Sequence, residues 1–234
     1  AESGVLRWEQ VRSALSPPVY YRARTGLIVL ENTHNMAGGT ISTRELTQEV
    51  VAGAHQNGLP VHLDGARIFN AAAALSLPVS ELAGECDSVM FCLSKGLAAP
   101  AGSLLLGSRD FIDEARSVRK MLGGGMRQAG VLAAAGLVAL EEMPQRLAED
   151  HANARKLAET LAESPRFSVD LKSVQTNIVM AEVRKGGAEN VLESLRNSGI
   201  LAVPTGPSQI RFVTHKDVSR QDIERVIGAI RKFQ

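Results

Sequence analysis

Two short strings in this 234-residue chain put reactive side chains where a ligand could meet them. Val61-His62-Leu63-Asp64-Gly65-Ala66-Arg67 sets a carboxylate and a guanidinium just past a short apolar run. Met90-Phe91-Cys92-Leu93-Ser94-Lys95-Gly96-Leu97 runs an apolar strand straight into a lysine flanked by small residues. In open α/β sheets, ligands bind beyond the carboxyl ends of strands. Each string also has a plainer reading. Asp64 could cap the following helix and pair with Arg67, and Lys95 could be a loop lysine in solvent.

The elements around them are those of an α/β protein. Apolar runs at 27–30, 60–63, 88–93 and 103–106 read as strands. Residues 43–57 and 67–75 read as the helices between them, with Ser42 or Thr43 as a cap and Gly58 as a stop. This alternation predicts a mostly parallel sheet covered by helices. After the glycines at 123–125, residues 128–143 read as a long, buried, alanine-rich helix and 145–163 as an amphipathic one. Strands are expected at 167–169, 177–180 and 210–213, and helices at 188–197 and 220–233. We therefore expect two domains, 1–142 and 143–234, the second a compact α+β layer.

Taken together, the two strings suggest one site. One crossover unit separates Asp64 from Lys95 and brings their strand ends to one sheet edge, about 4.8 Å apart if the strands are neighbours. That suits a planar pyridine, with the lysine forming a Schiff base to an aldehyde and the carboxylate facing the ring nitrogen. These are the two groups that pyridoxal 5′-phosphate (PLP) requires.

Five strings occur together in order: Leu30-Glu31-Asn32-Thr33-His34-Asn35, Val61 through Asn70, Cys92-Leu93-Ser94-Lys95-Gly96-Leu97, Gly123-Gly124-Gly125-Met126-Arg127-Gln128, and Arg211-Phe212-Val213-Thr214-His215. From about residue 5 onward the chain resembles the low-specificity L-threonine aldolases. The resemblance implies the large-domain portion of a PLP-transferase of fold type I followed by a C-terminal α+β small domain. It implies aldol cleavage of a β-hydroxy-α-amino acid, L-threonine or L-allo-threonine, to glycine and acetaldehyde. Lys95 matches the Schiff-base lysine, Asp64 the partner of the pyridine nitrogen, and Arg67 an arginine touching cofactor and substrate. Arg211 matches the arginine that holds the substrate carboxylate. Lys120 and Arg127 match basic residues that approach the cofactor phosphate from a neighbouring subunit, so a homo-oligomer, a dimer of dimers, is expected. Otherwise the cluster Arg116, Arg119, Lys120 and Arg127 is a solvated helix face. His34 is either a catalytic residue near the pocket or a hydrogen-bonded loop histidine.

The chain also departs from the family pattern. About a hundred residues that precede this region in the family, with a phosphate-binding loop and a ring-stacking histidine, have no counterpart here. Tyr20-Tyr21 stands where many relatives have a histidine. The alternatives are therefore another PLP lyase of the same fold, a β-eliminating one, or a non-catalytic fragment completed by an N-terminal chain.

Bulk composition restricts the partners. Twenty-six basic and 25 acidic residues give a net charge of +1, with no global pull towards nucleic acid or membranes. No apolar run is long enough to span a bilayer and no signal peptide is recognisable. Cys86 and Cys92 read as two buried thiols, consistent with a reducing cytoplasm. No metal-ligand spacing is present, so no metal is expected.

Overall fold

The computed structural model describes residues 3–233. The chain forms two compact units: Val5–Thr33 with Ser42–Pro144, and His34–Ile41 with the chain from Gln145 onward. A simple division near residue 142 misses that the 34–41 loop belongs with the C-terminal unit. Long-range hydrogen bonds capture that loop, and no local pattern announces it.

The first unit contains α1 (Trp8–Ala14), β1 (Ile28–Glu31), α2 (Arg44–Gln56), β2 (Val61–Asp64), α3 (Ile68–Leu75), α4 (Val79–Ala83), β3 (Ser88–Cys92), β4 (Ser103–Gly107), α5 (Arg109–Met121) and α6 (Gly130–Glu142). Its sheet has the order β1-β2-β3-β4. β1, β2 and β3 are parallel, whereas β4 runs antiparallel to β3. Parallel neighbours need a long crossover, and residues 93–102 make only a short return, so β4 has to reverse.

Strand periodicity sets the faces. Ile28, Leu30, Val61 and Leu63 are buried, whereas Val29 is 53% exposed and His62 and Asp64 are half-buried. On the covered side α2 contributes Val50, Val51 and Ala54. The fully buried Val50 and Val51 each contribute about 1.5–3 kcal/mol. Thr43 starts α2 by accepting the Leu46 N–H at 3.4 Å.

Three expectations need correction here. The alanine-rich helix is not buried: only Gly136 and Ala139 of α6 are, and Val131, Leu137 and Val138 are more than half exposed. Apolar composition all round a helix says that it prefers burial, not that a neighbour covers it. α5 was expected only as a solvated basic face; it begins after Ser108, which accepts the Phe111 N–H. Phe111, Ala115, Val118 and Leu122 recur at helical spacing, a signal masked by the charges among them. The cysteines are free but half-buried rather than buried, and desolvation, helped by Asp87, pushes the Cys86 thiol up to about 11.

The second unit contains α7 (Leu147–Glu163), β5 (Phe167–Ser168), β6 (Ile178–Val183), α8 (Gly187–Asn197), β7 (Val203–Pro204), β8 (Gln209–Val213) and α9 (Arg220–Ile230). Its antiparallel sheet runs β5-β6-β8-β7. Phe167, Val179, Ala181, Ile210 and Phe212 pack with Leu157 and Leu161 of α7, Leu195 of α8 and Ile230 of α9. Ser219 and Asp222 form a reciprocal capping box that starts α9.

Candidate functional site

In the first unit, Asp64 is the last residue of β2 and lies opposite Met90 in β3. The next peptide continues the ladder, with Gly65 N–H donating to Met90 O at 2.8 Å. A β-carbon on Gly65 would lie 2.9 Å from that carbonyl oxygen. Glycine therefore lets the chain turn off the sheet while still pressed against β3. The Asp64 carboxylate accepts the Ala66 N–H at 3.0 Å through Oδ1, which orients it at the turn. Arg67 immediately precedes α3 and is half-buried.

Lys95 lies just beyond β3, at the same end of the sheet as Asp64, because the two strands are parallel. Its loop is tightly built. Ala98 N–H donates to Lys95 O, and Ala99 N–H to Leu93 O, both at 2.9 Å. Leu93, Leu97 and Ala99 are buried and pin the loop down. Ala98 takes φ +56°, a left-handed conformation that costs about 1–2 kcal/mol in an L-residue. The Lys95 side chain is exposed and has no hydrogen bond or ion pair among the described residues. An unencumbered amine and an oriented, half-buried carboxylate at the ends of neighbouring strands form a donor set that fits PLP.

On the face of the sheet that carries Asp64, a groove of about 610 Å³ is lined by His62, Met90, Ser103, Leu105 and Arg119, among others. His62 Nδ1 lies 2.8 Å from Ser88 Oγ. Lys120 stands in the last turn of α5, and Arg127 follows the glycines; both are exposed. The glycines serve the helix end. Gly123 has φ +82°, Gly124 N–H donates to Arg119 O at 2.8 Å, and a β-carbon on Gly125 would meet the Lys120 stem at 2.7 Å.

The other two candidates lie in the second unit. Arg211, in β8, is half-buried and its Nη1 donates to Asn35 Oδ1 at 2.9 Å. His34 Nδ1 accepts the Ala37 N–H at 3.1 Å. That bond engages the Nδ1 lone pair and fixes the ring against the loop. Asn35 was missed as a contact because its partner is 176 positions away.

No group of three or more His, Cys, Asp or Glu side chains able to hold a metal occurs among the described residues. None of the described helices is long and apolar enough to cross a membrane.

A sequence profile described as beta-eliminating lyase matches residues 1–185. The chain belongs to that family. The low-specificity L-threonine aldolase of Escherichia coli K12 is 42% identical over 233 residues, covering 100% of this chain and 68% of the relative. The low-specificity L-threonine aldolase 1 of Arabidopsis thaliana is 41% identical over 237 residues, with 99% and 66% covered. This chain thus spans about two thirds of the length of these relatives. A solved threonine aldolase from Leishmania major superposes with a TM-score of 0.80 at 19% identity, covering 100% of this chain and 68% of that one, which shows a common α/β fold. The family is PLP-dependent, and these relatives identify the chain as a lyase homologue of the threonine aldolase type.

Proposed function

We propose that this chain carries the PLP-binding lysine of a threonine aldolase and cleaves L-threonine or L-allo-threonine between Cα and Cβ, yielding glycine and acetaldehyde. One observation supports the reading above the rest: a partnerless Lys95 leaves β3 at the sheet end where Asp64 leaves β2. Bound there, PLP supplies an electron sink for the charge left on Cα. Lys95 holds it covalently through Nζ. Asp64 faces the ring nitrogen and keeps a proton on it, and Arg67 touches cofactor and substrate. Arg211 binds the substrate carboxylate, a task suited to a planar guanidinium. His34 is the catalytic residue beside the substrate, its ring oriented by the Ala37 N–H on Nδ1. Lys120 and Arg127 reach the phosphate of a second copy, so the working form is a homo-oligomer, a dimer of dimers. The free thiols accord with a cytoplasmic location.

The family description itself favours a second reading, β-elimination. Assays of threonine, phenylserine, serine and tyrosine separate the two. Acetaldehyde from threonine, with no keto acid from serine or tyrosine, is the expected result. Turnover should be measured with the chain alone and with the N-terminal third of a relative added in trans; turnover only in the second case identifies a part that needs completion. Borohydride treatment with PLP present should attach a pyridoxyl group to Lys95. Attachment elsewhere overturns the cofactor assignment.

A further inference from the structure

Arg211 is a half-buried cation with an unusual set of partners. Among the described residues the one hydrogen bond of its guanidinium goes to a neutral amide, Asn35 Oδ1, and no carboxylate pairs with it. Its Nε is buried without any acceptor. Charges withdrawn from water are normally paired, so a guanidinium held by an uncharged acceptor keeps its full charge for an incoming anion.

The mount for Asn35 is rigid and built on the strands that carry Arg211. The 34–41 loop closes on itself through His34 N–H to Thr40 O at 2.9 Å and Gly39 N–H to His34 O at 2.8 Å. Gly38 N–H donates to Asn35 O at 3.2 Å. The loop is tied down where Thr176 Oγ1 donates to Gly39 O and Ile41 N–H donates to Gln175 Oε1, both at 2.8 Å. Gly38 has φ +87°, and a β-carbon there would lie 2.9 Å from Met180 Cγ. Met180 is the register partner of Arg211 across β6 and β8. Loop, strand pair and guanidinium thus form one assembly.

We propose that Asn35 is the positioning residue of Arg211: its amide oxygen fixes the guanidinium by Nη1 while leaving the charge and the remaining N–H groups for a ligand carboxylate. Asparagine suits this role better than aspartate because an aspartate would make the same hydrogen bond but cancel the charge. The carboxylate part of the inference rests on the role given to Arg211 above.

The test uses arginine side-chain NMR on the whole protein together with glycine titration by calorimetry in the presence of PLP. In the parent, the Arg211 Nε–H signal should exchange slowly with water. Asn35→Ala should speed that exchange and weaken glycine binding about fivefold, the order of one lost hydrogen bond. Asn35→Asp should keep the slow exchange, because the bond is retained, yet weaken glycine binding at least about tenfold through charge cancellation. An Arg211 signal indifferent to Asn35→Ala overturns the positioning role. Glycine affinity in Asn35→Asp equal to the parent overturns the argument for neutrality. If the signal depends on Asn35 but Arg211→Lys leaves glycine affinity unchanged, the carboxylate reading of Arg211 fails while the positioning role stands.

Discussion

Gly65 donates its N–H to the carbonyl of Met90 at 2.8 Å, directly after Asp64 and Met90 have faced each other across β2 and β3. That contact allows the chain to leave the sheet without losing the ladder. Gly65→Ala forces a β-carbon against a backbone oxygen 2.9 Å away, which the strand cannot easily yield. We expect a loss of about 1–3 kcal/mol, the range for overpacking, read from the urea midpoint. An unchanged midpoint would show that the turn can relax.

Lys95→Ala should leave stability within about 0.5 kcal/mol of the parent, because an exposed side chain without partners is removed. Covalent retention of PLP after borohydride should vanish. Retention in the variant would refute the attachment point, and a large stability loss would expose a structural role.

Asp64→Asn preserves an oxygen able to accept the Ala66 N–H, so the fold should be unaltered by circular dichroism. Threonine cleavage should fall at least about tenfold, since one unit in the ring nitrogen's pKa corresponds to about 1.4 kcal/mol. Parental turnover would remove Asp64 from the cofactor role.

Gly53→Ala tests the seating of α1 on α2. A β-carbon at Gly53 would fall 2.1 Å from Trp8 Cδ2, and Trp8 N–H donates to Glu49 Oε1 at 2.8 Å. The indole has to move outwards. Trp8 is the only tryptophan, so a red shift in its emission, with a loss of about 1–3 kcal/mol, is the expected signature. Unaltered emission would contradict the packing.

Burial holds the His151 imidazole below its usual range, opposed only partly by the nearby Asp150 charge. The unfolded chain therefore binds the proton more readily than the folded one. Stability from this group is complete above about 6.5, the ordinary value, and declines as pH drops through that value towards the lower folded one. His151→Gln should flatten stability against pH over that window. A slope identical to the parent would assign acid sensitivity elsewhere.

Much of the site is visible in short strings because its geometry is local. An apolar run that ends in Asp64-Gly65, and another that ends in Ser94-Lys95-Gly96, each declares a strand and the residue at its end. Neighbouring parallel strands then bring those ends together. α5 was legible only as a solvated basic face because its charges hid an apolar stripe, and α6 was misjudged because side-chain hydrophobicity carries no information about whether a neighbour is present.

The amino-acid sequence by itself determined the alternation of strands and helices, the residues at the strand ends and the family to which the chain belongs. These depend on periodicities of a few residues and on strings that survive without knowledge of what folds over them. Only the tertiary structure decided that β4 is antiparallel, that the 34–41 loop belongs with the C-terminal unit, and that Asn35 holds Arg211. Those outcomes arise from contacts between segments far apart in the chain. Their energies depend on which surfaces meet, and no local pattern encodes that.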